Sequence, residues 1–159
     1  MRHSNLSTRP AGASLPIDWS GHLETTSQRL LSILERATTG ASDISVAERC
    51  LFMACEFWAA TKSRNLEVHL GAAATDTLPV IGSIFTAIGA PGVAGDVDVA
   101  FADLSASRGA AHRQRCIGVL QNRLLISEEP VDRLLARFAV EIAGNAHARL
   151  RRSRIATNS

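Results

Sequence analysis

The sequence predicts an all-α fold: a compact bundle of five to six helices with no sheet. Three observations carry that expectation. Apolar residues recur at steps of three and four along most of the chain, and no segment shows the alternation of period two that marks a half-buried strand. Helix signals punctuate these faces: Ser45 three residues before Glu48, Pro79 and Pro130 near helix starts, and Gly40 at a helix end. The chain has 159 residues, 46% of them apolar, enough to bury one core without metal or disulfide. With five Phe, two Trp and no Tyr, that core falls to Leu, Ile, Val and Ala. The same apolar content excludes disorder of the whole chain.

Residues 1–17 hold two prolines and no acid and read as a flexible arm; residues 18–155 read as a single helical domain. The first helix is expected over about 20–38, with Leu23, Leu30, Leu31 and Leu34 near one face and Gly40 as its stop. Ser45 and Glu48 form a capping box for the second. On its wheel Val46, Cys50, Leu51, Ala54, Phe57 and Trp58 make an apolar half, and Glu48, Arg49, Glu56 and Ser63 oppose it. Phe52 falls among the charged residues, which predicts a second contact from another helix or another subunit. LEVHL, bracketed by Asn65 and Gly71, reads as a helical extension or a short separate turn.

Asp76 or Thr77 then caps a helix with Pro79 in its first turn. After it come Asp96, Asp98 and Asp103 beside the stripe Val97, Phe101 and Leu104, with the two earlier aspartates expected at the positive end of the helix they begin. SASRGA at 105–110 interrupts or bends the chain. A further helix carries His112, Cys116, Leu120 and Leu124 at four-residue spacing, with Ile117 beside them. Ser127 opens the last helix over Glu128, Glu129 and Pro130, and its apolar stripe runs from Val131 through Leu134, Leu135, Phe138, Ile142 and Ala146 to Leu150.

Residues 77–95, TLPVIGSIFTAIGAPGVAG, contain no charge. A membrane span needs about 20 apolar helical residues to cross ~30 Å of hydrocarbon. Here GAPGVAG at 89–95 reads as a turn that ends the helix near Ile88, leaving about ten residues, or ~15 Å. That excludes a span. Leu78, Ile81, Ile84, Phe85 and Ile88 form a large face of this short helix; Gly82, Ser83, Thr86 and Ala87 form a small one. Neither asks for water, so the helix is expected to be enclosed either by its own bundle or by a second subunit. Phe52, Trp58, Gly82, Ser83, Thr86 and Ala87 are accordingly the expected partner interface.

Chemistry is sparsely written. The net charge of +2, from 17 basic and 15 acidic residues, implies neither a nucleic-acid nor a membrane-surface partner by itself. Cys50 and Cys55 point ~140° apart on one helix, a poor geometry for a bridge. With Cys116 they leave an odd number, and the first residues lack an apolar signal region. Reduced thiols and a cytoplasmic location are expected. HxxxC at His112 and Cys116 supplies two metal ligands where zinc takes three or four, and Cys50, Cys55 and His69 complete no zinc module. DVDVAFAD at 96–103 lacks the glycine and final glutamate of a calcium loop. No phosphate loop, GxSxG, HExxH or di-iron pattern is present, so no metal, cofactor or catalytic set is expected. Glu56 is the first candidate for a functional carboxylate.

Two arginine clusters, RGAAHRQR at 108–115 and RLRRSR at 149–154, offer Arg113, Arg115, Arg149, Arg151 and Arg152 as possible anion or nucleic-acid contacts. No aromatic is interleaved with them for base stacking, and bases at the end of the last helix also suit its dipole. QRLLSILERA at 28–37 loosely resembles the opening helix of all-α chorismate mutases, over about ten residues of a common amphipathic pattern, and the rest of the chain places none of that family's active site. The sequence therefore predicts a non-catalytic helical interaction protein, adaptor-like and self-associating as a homodimer. A nucleic-acid-binding regulator is the first alternative, and a small all-α enzyme or cofactor-binding protein the second.

Overall fold

The computed structural model describes residues 28–72, 75–106 and 109–156. The arm at 1–17 and the front of the expected first helix lie outside the described residues. Within them the protein is all-helical. Seven α-helices follow in order: α1 Gln28–Thr38, α2 Val46–Lys62, α3 Leu66–Ala72, α4 Leu78–Ile88, α5 Pro91–Ser105, α6 Ala110–Leu125 and α7 Val131–Ala156, with a single 3-10 turn, Thr75–Thr77, ahead of α4. Seven replaces the expected five to six because LEVHL forms a helix of its own, α3. Among the described residues no helix is long and apolar enough to cross a membrane.

The ends of the early helices follow from local chemistry. Gly40 takes a left-handed φ of 72°, and the Ala41 N–H closes back on the Arg36 carbonyl to finish α1. At α2 the capping box is complete: the Glu48 N–H donates to Ser45 Oγ at 3.2 Å, and the Ser45 N–H donates to Glu48 Oε2 at 2.8 Å. Arg36 adds an ion pair to Glu48 at 3.1 Å and another to Asp43 at 3.0 Å, which ties α1 to the start of α2.

Helix α2 is central and packs against α1, α3, α4, α6 and α7. Five successive residues, Phe57 to Thr61, are all buried, so its second half is covered around its whole circumference. The wheel misses this because it assumes one covered face. It errs in the other direction at Val46, which lies in the first turn and is 78% exposed rather than in the core. Phe52 is half-buried and packs against the chain's own core, the contact with another helix that its place on the wheel called for.

GAPGVAG is not one turn. Gly89 alone carries it, with φ 91°, a backbone state that favours glycine. The Ala90 N–H donates to the Phe85 carbonyl at 2.8 Å and the Gly89 N–H to the Thr86 carbonyl at 3.1 Å, a paired closure that ends α4 at Ile88. Pro91 then starts α5 at once, where its missing N–H costs nothing. Asp96 and Asp98 consequently lie inside α5 and not at its start. Asp96 instead pairs with Arg123 of α6 at 3.3 Å.

The free amides at the start of α5 are met by a side chain from far along the chain. The Gly92 N–H donates to Glu129 Oε1 and the Val93 N–H to Glu129 Oε2, both at 2.8 Å. A carboxylate suits this place because N–H dipoles at a helix start favour negative charge. Glycine at 92 gives it room: a Cβ there would stand 3.1 Å from Glu129 Oε1. The acids before α7 thus do not all serve α7, which itself begins at Val131 and not at Ser127.

Candidate functional site

Helix α4 divides into two faces. Leu78, Ile81, Phe85 and Ile88 are at most 2% exposed and join the core. Gly82 is buried too, under α5, with Asp98 Oδ1 2.6 Å from the position a Cβ would take. Pro79, Val80, Ser83, Thr86 and Ala87 are exposed and share an arc of ~120° on the other side. That arc carries no charge. Its hydroxyls are also engaged: Ser83 Oγ donates to the Pro79 carbonyl at 2.8 Å and Thr86 Oγ1 to the Gly82 carbonyl at 3.1 Å. The face therefore presents methyl and methylene groups, with its polar donors turned back onto its own helix.

Of the six expected interface residues, the structure brings Ser83, Thr86 and Ala87 together on this face. It removes three. Gly82 is covered by α5, Phe52 packs on the core, and Trp58 is only 7% exposed. The physical reason for Trp58 lies in its polar edge: Nε1–H donates to Asp132 Oδ1 at 2.9 Å in a buried contact. Lys62 Nζ reaches the other oxygen, Asp132 Oδ2, at 2.9 Å. One buried carboxylate of α7 thus satisfies two groups of α2, as a buried charge must.

Sequence reasoning did not single out Asp132 and read Glu129 as part of the start of the last helix. A signal was present for Asp132. It falls on the stripe of Leu135, Ala136 and Ala139, all buried, so a charge there requires a buried partner. Lys62, the sole lysine of the chain, is that partner.

Burial disfavours the charged forms of Cys55, Glu56 and His69. Burial, then the charges of Asp132 and Glu56, push the Cys55 thiol far up, so it is an inert core residue. Burial lowers the pKa of His69, whose ring stands edge-on to Phe57 at 6.3 Å. Burial raises that of Glu56, the candidate carboxylate. For a carboxyl raised in the folded state, stability is fully present below its unfolded value and is lost as pH rises through the folded one. Glu56→Gln is therefore expected to be more stable than the parent at neutral pH, with the gap closing in mild acid. Urea unfolding at the two pH values checks this, and a gap that is equal at both would refute it.

The arginines separate. Arg113 is half-buried, with Nη1 donating to Thr75 Oγ1 at 2.9 Å and Nη2 to the Leu70 carbonyl at 3.1 Å. It fastens α6 to the end of α3 and is not an open anion contact. Arg115 is exposed on α6. Arg149, Arg151 and Arg152 lie in the last turns of α7, and their side chains are outside what is described. Cys116 Sγ and His112 Nε2 stand 3.5 Å apart on α6, and among the described residues no group of three His, Cys, Asp or Glu is arranged to hold a metal ion. Compared with known proteins, the chain matches no family model, no curated protein and no solved structure.

Proposed function

We propose that the protein acts by protein–protein contact, as a small helical interaction module that pairs with a second copy of itself through the exposed face of α4. The observation that supports this reading is the uncharged arc of Pro79, Val80, Ser83, Thr86 and Ala87, with its hydroxyls already bonded. Interface centres are depleted in charge, and polar groups buried there must find partners. This arc meets both conditions before any partner arrives. Its small side chains would let the backbone of a second α4 approach closely across a two-fold axis, where each face meets its own copy.

Light scattering on a concentration series is expected to report a dimer. Ala87→Arg and Ser83→Glu change exposed positions and are expected to leave the fold intact. Each is expected to weaken the dimer at least tenfold, because an unpaired charge buried in the contact costs more than the ~1.4 kcal/mol that a factor of ten represents. A chain that is monomeric at every soluble concentration, or a dimer indifferent to both changes, would sink the reading.

A further inference from the structure

Helix α6 carries a second arrangement of interest, well away from the α4 face in sequence. His112 is exposed and Cys116 half-buried, one turn apart on the same side of the helix, with Nε2 and Sγ 3.5 Å apart. Zinc holds a thiolate at about 2.3 Å and an imidazole at about 2.0–2.1 Å, and at a tetrahedral angle those two donors span about 3.6 Å. The pair already stands one edge of a zinc tetrahedron apart. The same separation is a thiol–imidazole hydrogen-bond distance, so binding turns the two donors from each other onto the metal and removes the thiol proton.

The chain itself supplies no more than this edge, since no third donor group is close enough among the described residues. The neighbourhood otherwise suits a cation that is shared. Arg113, the nearest basic neighbour of His112 in sequence, is turned away onto Thr75 and Leu70. Asp96 is engaged by Arg123 across the α5–α6 hairpin. Among the described residues, Arg115 is the exposed cation beside the pair. On the same stripe, three residues beyond Cys116, Val119 is 55% exposed and offers an apolar shoulder for protein and not only water.

We propose that His112 and Cys116 form half of a tetrahedral site for zinc or a similar thiophilic divalent metal, and that the same pair of a second copy supplies the other half about a two-fold axis. The complete set, two thiolates and two imidazoles, is one of the closed structural zinc sets. Binding deprotonates each Cys116: a sulfur–hydrogen bond is exchanged for a sulfur–metal bond, and the two protons pass to solvent. No electron is transferred. Affinity therefore falls as the pH is lowered.

This site is independent of the α4 contact, and the test is built to keep the two apart. The full chain carrying Ala87→Arg, kept reduced, is titrated with Co2+ and then Zn2+ and followed by absorption and light scattering. The expected result is a thiolate-to-cobalt charge-transfer band with four-coordinate d–d bands, saturating at one metal per two chains, together with conversion of monomer to dimer. Zinc should displace cobalt and keep the dimer. His112→Ala and Cys116→Ser should each abolish both signals, whereas Cys50→Ser should retain them. Saturation at one metal per chain without association, absence of the thiolate band, or a band that survives Cys116→Ser would overturn the proposal. Loss of the α4 dimer alone would not touch it.

Discussion

Phe85→Ala is expected to cost the fold about 4 kcal/mol, within the range for removing a fully buried aromatic ring. Phe85 is 0% exposed, and its ring centroid lies 6.0 Å from that of Phe57 and 6.3 Å from that of Trp58. These are three of the seven aromatic residues in the chain, gathered where α4 crosses the central helix. The cavity would close poorly. On one side the glycine closure after Ile88 fixes the end of α4; on the other, Trp58 is held by its bond to Asp132. For a domain of this size the loss corresponds to a fall of roughly 8–16 °C in Tm. Urea unfolding would report it, and Phe85→Leu should recover most of the loss. A loss below ~1.5 kcal/mol for the alanine variant would mean that the ring does not fill the core.

Asp132→Ala is the second large effect, expected at about 3 kcal/mol. The change leaves the buried indole N–H of Trp58 without an acceptor, worth about 1–3 kcal/mol, and removes the ion pair of Lys62. The sum falls at the low end for a broken buried pair because the Lys62 side chain keeps 29% exposure and can return to water. Two companion variants separate the parts. Asp132→Asn retains an acceptor for the indole and should lose less than the alanine variant. Lys62→Met, in contrast, leaves the carboxylate bonded to Trp58 alone. If Asp132→Ala and Asp132→Asn prove equally mild, the carboxylate is solvated and the tie contributes nothing.

What the sequence made legible was local. The capping box of Ser45 and Glu48, the glycine stop at Gly40 and the end of α4 at Ile88 each depend on residues within a few positions of one another, and each is found where expected. Pro91 shows how the same signals mislead. A proline after glycine reads as a break, yet at the first position of a helix it is a start, and only the surrounding packing decides between them. Burial around α2 was illegible for a different reason: Val46 and Ala60 have the chemistry of core residues alike, and which one is covered depends on where five other helices end.

The exposure of the candidate face was half legible: Ser83, Thr86 and Ala87, singled out for their size and lack of charge, are exposed, but Gly82, from the same pattern, is buried beside Asp98 of α5. Contacts that bridge long stretches of chain left no trace in any window. Arg113 to Leu70 spans 43 residues, and Glu129 to Val93 spans 36.

That last contact has a consequence for how the molecule opens. Glu129 reaches back to the first turn of α5 and Arg123 to Asp96 farther along it, and together they close the α5–α6 hairpin into a ring fastened by two charged contacts. A segment closed in this way tends to detach and return as one cooperative unit. Its release would uncover the amides of Gly92 and Val93 at the same moment, so those two protons keep time for the whole hairpin.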